Sequence, residues 1–193
     1  PERVYHARWQ AWVAMLNGSA GYGYGAQGMG QFYDPNDPRG ETGKPVRSVM
    51  PWRSALRSEG SSMVGYVATL LRRYPWWRLE PSVSALLLDG EPCPAPTATD
   101  ITPPHCAIVP DQLCLVYVPR SNGKRQIQLT GVSGVSAQAK WFDPRNGKTH
   151  AAPALEQGKL GTVTLPERPR PAAEDWVWVM EMRASSVSAP RRI

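Results

Sequence analysis

Residues 20–35 read AGYGYGAQGMGQFYDP, and within them Gly23-Tyr24-Gly25-Ala26-Gln27-Gly28 satisfies G-x-G-x-x-G. In a dinucleotide-binding turn such glycines let bare backbone approach a pyrophosphate. That chemistry also needs a strand before the glycines, a helix opening on the third, and an acidic residue about 20 positions on. Here a helical pattern precedes the glycines. Gly30 and the Asp34-Pro35 break stand where the following helix would have to form, and the stretch holds no Gly-Lys-Ser/Thr. The phosphate reading is therefore excluded. What remains is a thin chain carrying Tyr22, Tyr24, Gln27 and Gln31. Rings with a polar handle, interleaved with amides, can stack on a sugar and hydrogen-bond its hydroxyls. Those four are the candidate substrate-binding residues, with Tyr22 open to a second reading as a core residue.

An acid/base pair for glycoside cleavage needs two carboxyl groups about 5 Å apart, or somewhat farther for inversion. Asp34 sits in a DPND turn. Glu2 stands just before a helix, where the helix dipole favours a carboxylate. Asp143 begins an Asn-Gly turn, and Asp175 and Glu181 flank a strand pattern. None of them makes a pair by spacing. His6, His105 and His150 lack a G-x-S-x-G elbow or a recognisable cysteine partner. Cys93, Cys106 and Cys114 are spaced unlike the tight Cys pairs of structural zinc sites. Cys106 and Cys114 flank a turn at Pro110-Asp111, where they are either a cross-hairpin disulfide or buried thiols. No catalytic residue, metal ligand or cofactor is assigned.

The chain has 193 residues with eight Trp and seven Tyr against two Phe, and a formal charge of +6. The arginines are spread along the whole sequence, with only short clusters such as Arg72-Arg73 and Arg191-Arg192. That distribution describes a solvated basic surface and argues against nucleic acid, which demands a concentrated basic face. No apolar run reaches the roughly 20 residues of a membrane helix. The sequence begins at Pro1, directly before a helical pattern, as expected of a piece of something longer.

These residues need elements to hold them. RVYHARWQAWVAML, residues 3–16, places Tyr5, Trp9, Trp12, Val13 and Leu16 at helical spacing, and Asn17-Gly18 ends the helix. AGYGYG reads as a strand, with glycines on one face and rings on the other, as suits a crowded interior or a close ligand. Residues 34–51 form a polar loop. Residues 52–74 are helical, divided by Gly60. Residues 90–104 are rich in Pro, Thr and Ala and connect to a strand-rich half, while VSALLLD before them reads as a short strand or a helical turn. HCAIV, LCLVYV, RQIQL, AQAKWF, LGTVTL and DWVWVMEM are the strands. Ser121-Asn122-Gly123 is expected to join LCLVYV to RQIQL as a hairpin, and a second Asn-Gly lies in DPRNGK. The spacing indicates an antiparallel sandwich. Trp141, Trp176 and Trp178 are either exposed contacts for a ligand or, as alternating rings in a sandwich, its core; core filling is the preferred reading. The organisation is thus 1–80, a connector over 81–104, the sandwich over 105–183 and a tail over 184–193.

Taken together, ARWQAWVAMLNGSAGYGYGAQGMGQF, SALRSEGSSMVGYVATLLRRYPWWRLEPS and KWFDPRNGK resemble the C-terminal part of apiosidase-like glycoside hydrolases, in which a (β/α)8 barrel precedes a small sandwich named a "putative collagen-binding domain". Arg8 with Trp12, the Gly18, Gly21 and Tyr24-Gly25 signature, and Trp76-Trp77-Arg78-Leu79 carry the likeness most specifically. It implies an α/β fragment, the last strand and helices of a TIM barrel, followed by an all-β antiparallel sandwich. Residues 3–16 become the helix before the eighth strand, Gly21–Gly25 that strand, and 52–74 the last barrel helix. It implies a secreted or periplasmic enzyme on plant-type glycans, with the catalytic carboxylates on earlier strands. It also implies a carbohydrate partner and a barrel portion or parent chain to complete the fold. The family carries Trp where this chain has Gly30, which implies an altered subsite. A lone barrel strand with two helices has no sheet to join, so residues 1–80 are expected to expose apolar surface unless a barrel or second chain covers them. The alternative function is a non-catalytic carbohydrate- or protein-binding module.

Overall fold

The computed structural model describes residues 2–26, 28–30, 32–36, 50–97, 100, 102–120, 125–131, 135–153, 155 and 161–184. Gln27, Gln31, the Ser121-Asn122-Gly123 turn and the tail beyond 184 lie outside them. Among the described residues three α-helices come first: α1 (Glu2–Leu16), α2 (Trp52–Leu56) and α3 (Glu59–Leu71). α1 stops where its spacing ends. Gly18 takes φ +88°, Ser19 N–H returns to the Ala14 carbonyl at 3.1 Å, and the Asn17 amide donates to the Val13 carbonyl at 2.7 Å. This is the left-handed glycine termination that Asn-Gly announces. The second helical segment divides at Arg57-Ser58, before Gly60; Gly60 lies inside the first turn of α3.

Among the described residues ten strands follow: β1 (Glu80–Pro81), β2 (Leu86–Leu88), β3 (Glu91–Pro92), β4 (His105–Val109), β5 (Leu113–Val118), β6 (Ile127–Leu129), β7 (Val135–Phe142), β8 (Thr149–Ala151), β9 (Val163–Thr164) and β10 (Trp176–Ala184). They form two antiparallel sheets, one in the order β1-β4-β5-β10-β7-β8 and one in the order β3-β2-β6-β9. The stretch expected as a connector therefore contributes β2 and β3, and VSALLLD is both things at once, a 3-10 turn over Val83–Ala85 and then β2. The expected β5–β6 hairpin does not form. β5 pairs with β4 and β10, while β6 pairs with β2 and β9, so the chain changes sheets between them. A short connection carrying Asn-Gly is compatible with a hairpin, but burial of β6 against the other sheet decides its neighbours.

The six-stranded sheet is buried on both faces at its centre, while its edge strands β1 and β8 are exposed. Along β5, Cys114, Val116 and Val118 point between the sheets, while Leu113, Leu115 and Tyr117 point the other way. Along β10, Trp176, Trp178 and Met180 fill the inter-sheet core, and Val177 and Val179 face outward. What meets the outward set is the helical segment. Trp12, Leu16, Val67, Leu70 and Leu71 pack on Ala107, Val109, Leu115, Tyr117, Phe142 and Val179. Trp12 is fully buried, stacked 6.2 Å from Tyr117 and edge-on to Phe142 at 6.0 Å. The arrangement is three layers: helices, six-stranded sheet, four-stranded sheet.

Two expectations change as a result. The apolar stripes of α1 and α3 are covered by the sandwich of the same chain. Full burial of one large apolar side chain is worth about 1.5–3 kcal/mol, so several such residues make this a strong union. Second, residues 21–26 are in no ladder, so the expected eighth strand is irregular here. With neighbouring glycines and no paired strand beside it, a six-residue stretch has nothing to fix it as β structure. Trp141, Trp176 and Trp178 are all in the inter-sheet core, as the alternation indicated. Among the described residues, no helix is long and apolar enough to cross a membrane.

Candidate functional site

The aromatic and glycine stretch crosses the ends of α1 and α3. Tyr22 and Tyr24 turn toward the helices. Tyr22 is half-buried against the helical core, and its hydroxyl donates to Gln10 Oε1 at 3.3 Å. Tyr24 lies over the first turn of α3. Its hydroxyl is 3.3 Å from Ser58 Oγ, and a Cβ at position 60 would stand 2.7 Å from its hydroxyl oxygen. Gly60 thus makes room for the Tyr24 ring. Ser58, the N-cap residue of α3, makes no side-chain cap bond and meets Tyr24 instead. On the other side, a Cβ built on Gly21, Gly23 or Gly25 meets nothing within 4 Å. The glycine face is open.

Beyond Gly28 the chain folds back in tight turns. Met29 N–H donates to the Ala26 carbonyl at 3.2 Å, Phe32 N–H to Met29 at 3.1 Å and Tyr33 N–H to Gly28 at 3.0 Å. Phe32 takes φ +50°, a conformation costly for a bulky residue, and its ring is 73% exposed. It stands edge-on to Trp52 at 6.1 Å, and the Arg53 guanidinium lies 4.3 Å from the centre of the Trp52 ring. Arg53 Nη1 donates to Asp34 at 2.7 Å, Asp34 accepts the Asn36 N–H at 3.0 Å, and the Trp52 N–H donates to the Tyr33 carbonyl at 2.9 Å. Asp34 is therefore the turn residue its DPND context indicated, and it also pairs with Arg53. An exposed ring, a half-buried indole, a guanidinium and a carboxylate converge here. Reading the sequence singled out the tyrosines and missed Phe32 and Trp52. Phe32 lay in the same stretch, but its left-handed backbone leaves no sequence signal, and Trp52 stands 20 positions further along the sequence.

Asp143, Glu181 and Asp175 are occupied. Asp143 accepts from the Arg145 backbone and guanidinium and from Asn146, and although burial works against it, these donors hold its carboxyl below the usual range. Glu181 accepts from Tyr74 at 2.7 Å and Lys140 at 2.6 Å. Asp175 is fully buried and accepts Arg8 Nε at 2.8 Å, Arg8 Nη2 at 2.5 Å and the Tyr117 hydroxyl at 2.9 Å. Arg8 is 4% exposed and also reaches Met63 Sδ at 3.1 Å. Burial and then the Asp175 charge push the Tyr117 phenol well up. Arg8 and Trp12, the most specific part of the resemblance, thus join α1 to the strands.

His105 is buried with Nδ1 3.0 Å from the Asn17 amide, and burial lowers its pKa to about 4. His6 and His150 are exposed. Cys93, Cys106 and Cys114 are free, buried thiols in one core, with Cys106 and Cys114 sulfurs 3.8 Å apart. Of the two readings of that pair, the structure shows thiols. Among the described residues no group of three or more His, Cys, Asp or Glu is placed to hold a metal.

Two family matches divide this chain. Residues 3–78 match the apiosidase-like catalytic domain, and residues 105–181 match the "putative collagen-binding domain of a collagenase". Comparison with curated proteins gives no match.

Proposed function

From a chain that carries the C-terminal architecture of apiosidase-like proteins, we propose that it is the C-terminal portion of a glycoside hydrolase, in which the helical segment closes a (β/α)8 barrel. Residues 21–25 are that barrel's eighth strand, and they contribute one wall of a sugar site on a plant-type glycan. The enzyme acts outside the cytoplasm, secreted or periplasmic, and its acid and base come from strands outside this chain. Tyr24, Gln27 and Gln31, with Tyr22, are the residues proposed to offer ring faces and hydrogen bonds to hydroxyls. The observation that carries this reading is the one-sided build of residues 21–25. Both rings are held against α1 and α3, while the glycine face has no atom against it. That is the shape of an inner strand waiting for neighbours. Phe32 and Trp52 extend the wall beyond Gly30, where the family's Trp is missing.

The test is binding of neutral arabinan, galactan and xyloglucan oligosaccharides to the chain by calorimetry, alongside Tyr24→Ala and Gln27→Ala. One wall gives weak saturable binding, and each substitution weakens it. Absence of binding to the whole panel, together with no glycan hydrolysis by a protein carrying a complete barrel ahead of these residues, sinks the reading. A collagen-binding role for the sandwich is less favoured, because its tryptophans are interior and one face of its larger sheet is taken by α1 and α3.

A further inference from the structure

The outer side of an edge strand carries backbone N–H and C=O groups with no ladder partner. Sheets protect such edges by keeping them short or by placing charge or proline on them. The outermost strands of this protein follow that rule. β1 and β3 are two residues each and both read Glu-Pro, β9 has two residues and β8 three. β7 is the exception. It runs for eight residues, Val135–Phe142, and β10 pairs with all of it, from Ala184 opposite Val135 to Val177 opposite Phe142. On the other side of β7, β8 pairs only with Lys140, Trp141 and Phe142. Among the described residues, 135–139 therefore have no strand on their outer side. Their sequence is VSAQA, without charge or proline. The overhang opens on a notch of about 490 Å³ lined by Gln138, Ala139, Ala151, Ala152, Pro153 and Leu155, among others. Lys140 and Glu181 also border the notch, and they are bonded to each other at 2.6 Å.

An open run of this kind accepts another strand, and its sequence points to which one. Read from either end, VSAQA alternates apolar, polar, apolar, polar, apolar, and alternate residues of a strand share one side of the sheet. Ala139 is half-buried against the inter-sheet core, and Gln138 is exposed. We propose that this edge pairs antiparallel with the same edge of a second copy of the chain, about a two-fold axis at Ala137. Val135 then stands opposite Ala139 and Ser136 opposite Gln138. Apolar residues meet on the side of the inter-sheet core and polar residues on the other. A slip of one residue sets apolar against polar, which fixes the register. The two six-stranded sheets become one across the seam, and the contact closes after two copies. A foreign peptide would need to bring the complementary pattern, whereas a second copy carries it already. With Lys140 and Glu181 neutralising each other, no unbalanced charge borders the seam. Pairing over so few residues buries less than about 1,200 Å², the range of weak association. This edge is separate from the barrel wall and does not depend on it.

The experiment is sedimentation equilibrium of the chain between about 5 and 500 µM, a range that brackets weak association. The expected result is a monomer–dimer equilibrium with a dissociation constant of about 100 µM. It tightens when salt is raised from roughly 50 to 300 mM, because each copy carries a formal charge of +6. Two double variants read the register. Ser136→Lys with Gln138→Lys, and Ser136→Glu with Gln138→Glu, each set like charges opposite one another and weaken association about tenfold. An equal mixture of the two restores it, since Lys then faces Glu. Thermal midpoints check that both variants keep the fold. Amide exchange at residues 135–139 is a second readout on the unaltered chain, and it slows as the concentration rises through the dissociation constant. Three results each overturn the proposal: a monomer over the whole range, slow exchange at 135–139 at every concentration (the chain itself then covers the edge), or a mixture that associates no better than either variant alone.

Discussion

Acidification below pH 6.5 should destabilise this protein through one side chain, His105. It begins β4 and is 2% exposed. The Asn17 amide nitrogen lies 3.0 Å from its Nδ1 and also donates to the Val13 carbonyl, so Nδ1 is the acceptor and the ring proton sits on Nε2. Nε2 is itself buried without a partner among the described residues, and the neighbouring ring is Tyr117, 6.4 Å away. A second proton on Nδ1 would face an N–H donor in a dry site, and burial accordingly lowers the pKa from 6.5 to about 4. The folded form resists the proton and the unfolded form does not. Stability is therefore complete above the unfolded value and falls as pH drops from 6.5 toward 4. A gap of about 2.5 units at 1.36 kcal/mol each gives about 3 kcal/mol in full, and about 2 kcal/mol by pH 5. Asp89, Asp100 and Asp143 are held below the usual carboxylate range, with Arg125, Thr102 and Arg145 among the donors, so their contribution is lost only at lower pH. The assay is urea denaturation followed by tryptophan fluorescence at pH 7.5, 6 and 5, on the native protein and on His105→Gln. Gln removes the titrating group, so the slope between pH 7.5 and 5 flattens whatever the absolute stability. Parallel slopes in the two proteins refute the reasoning.

Arg8→Met should cost about 3–5 kcal/mol in the same assay, because it strands the fully buried Asp175 carboxylate, and adding Asp175→Asn should restore part of that loss. Gly60→Ala places a methyl 2.7 Å from the Tyr24 hydroxyl; it should cost about 1–3 kcal/mol despite better helix propensity, and Tyr24→Phe should relieve it. Gly147→Ala, at φ +73° and 2.8 Å from the Tyr66 ring, should cost about 1–3 kcal/mol and lower the thermal midpoint. Cys93, Cys106 and Cys114 should resist an aromatic disulfide reagent until denaturant is added, with Cys114 held as a thiol by its bond to Cys106 and by burial; rapid native labelling would contradict this.

Much of the scaffold could be read from period alone. α1, β4, β5, β7 and β10 lie where the patterns of spacing and turns indicated, because each buries a regular set of side chains. LCLVYV held more than was taken from it. A continuous apolar run marks a strand buried on both faces, and here Leu115 meets the helices while Val116 meets the second sheet. Two-sided burial was the signal that something covers the sandwich, and the stripes of Trp12 and Leu70 were its match. The change of sheet between β5 and β6 depends on long-range pairing, which an Asn-Gly turn cannot encode. At the candidate site, Tyr24 was legible as a ring among glycines. Its seat on Gly60 and the approach of Trp52 to Phe32 join positions far apart in the sequence, and no local period links them.

The Arg8–Asp175 bond joins the second helical turn of one family segment to the strand that ends the other. Residues between the two segments supply β1, β2 and β3. A genetic crossover at the border between the segments would split a hydrophobic layer and strand a charge on each side. The sandwich of this protein therefore cannot be exchanged like a bead on a string. It has to be inherited with the helices it covers, and both halves should melt in a single transition.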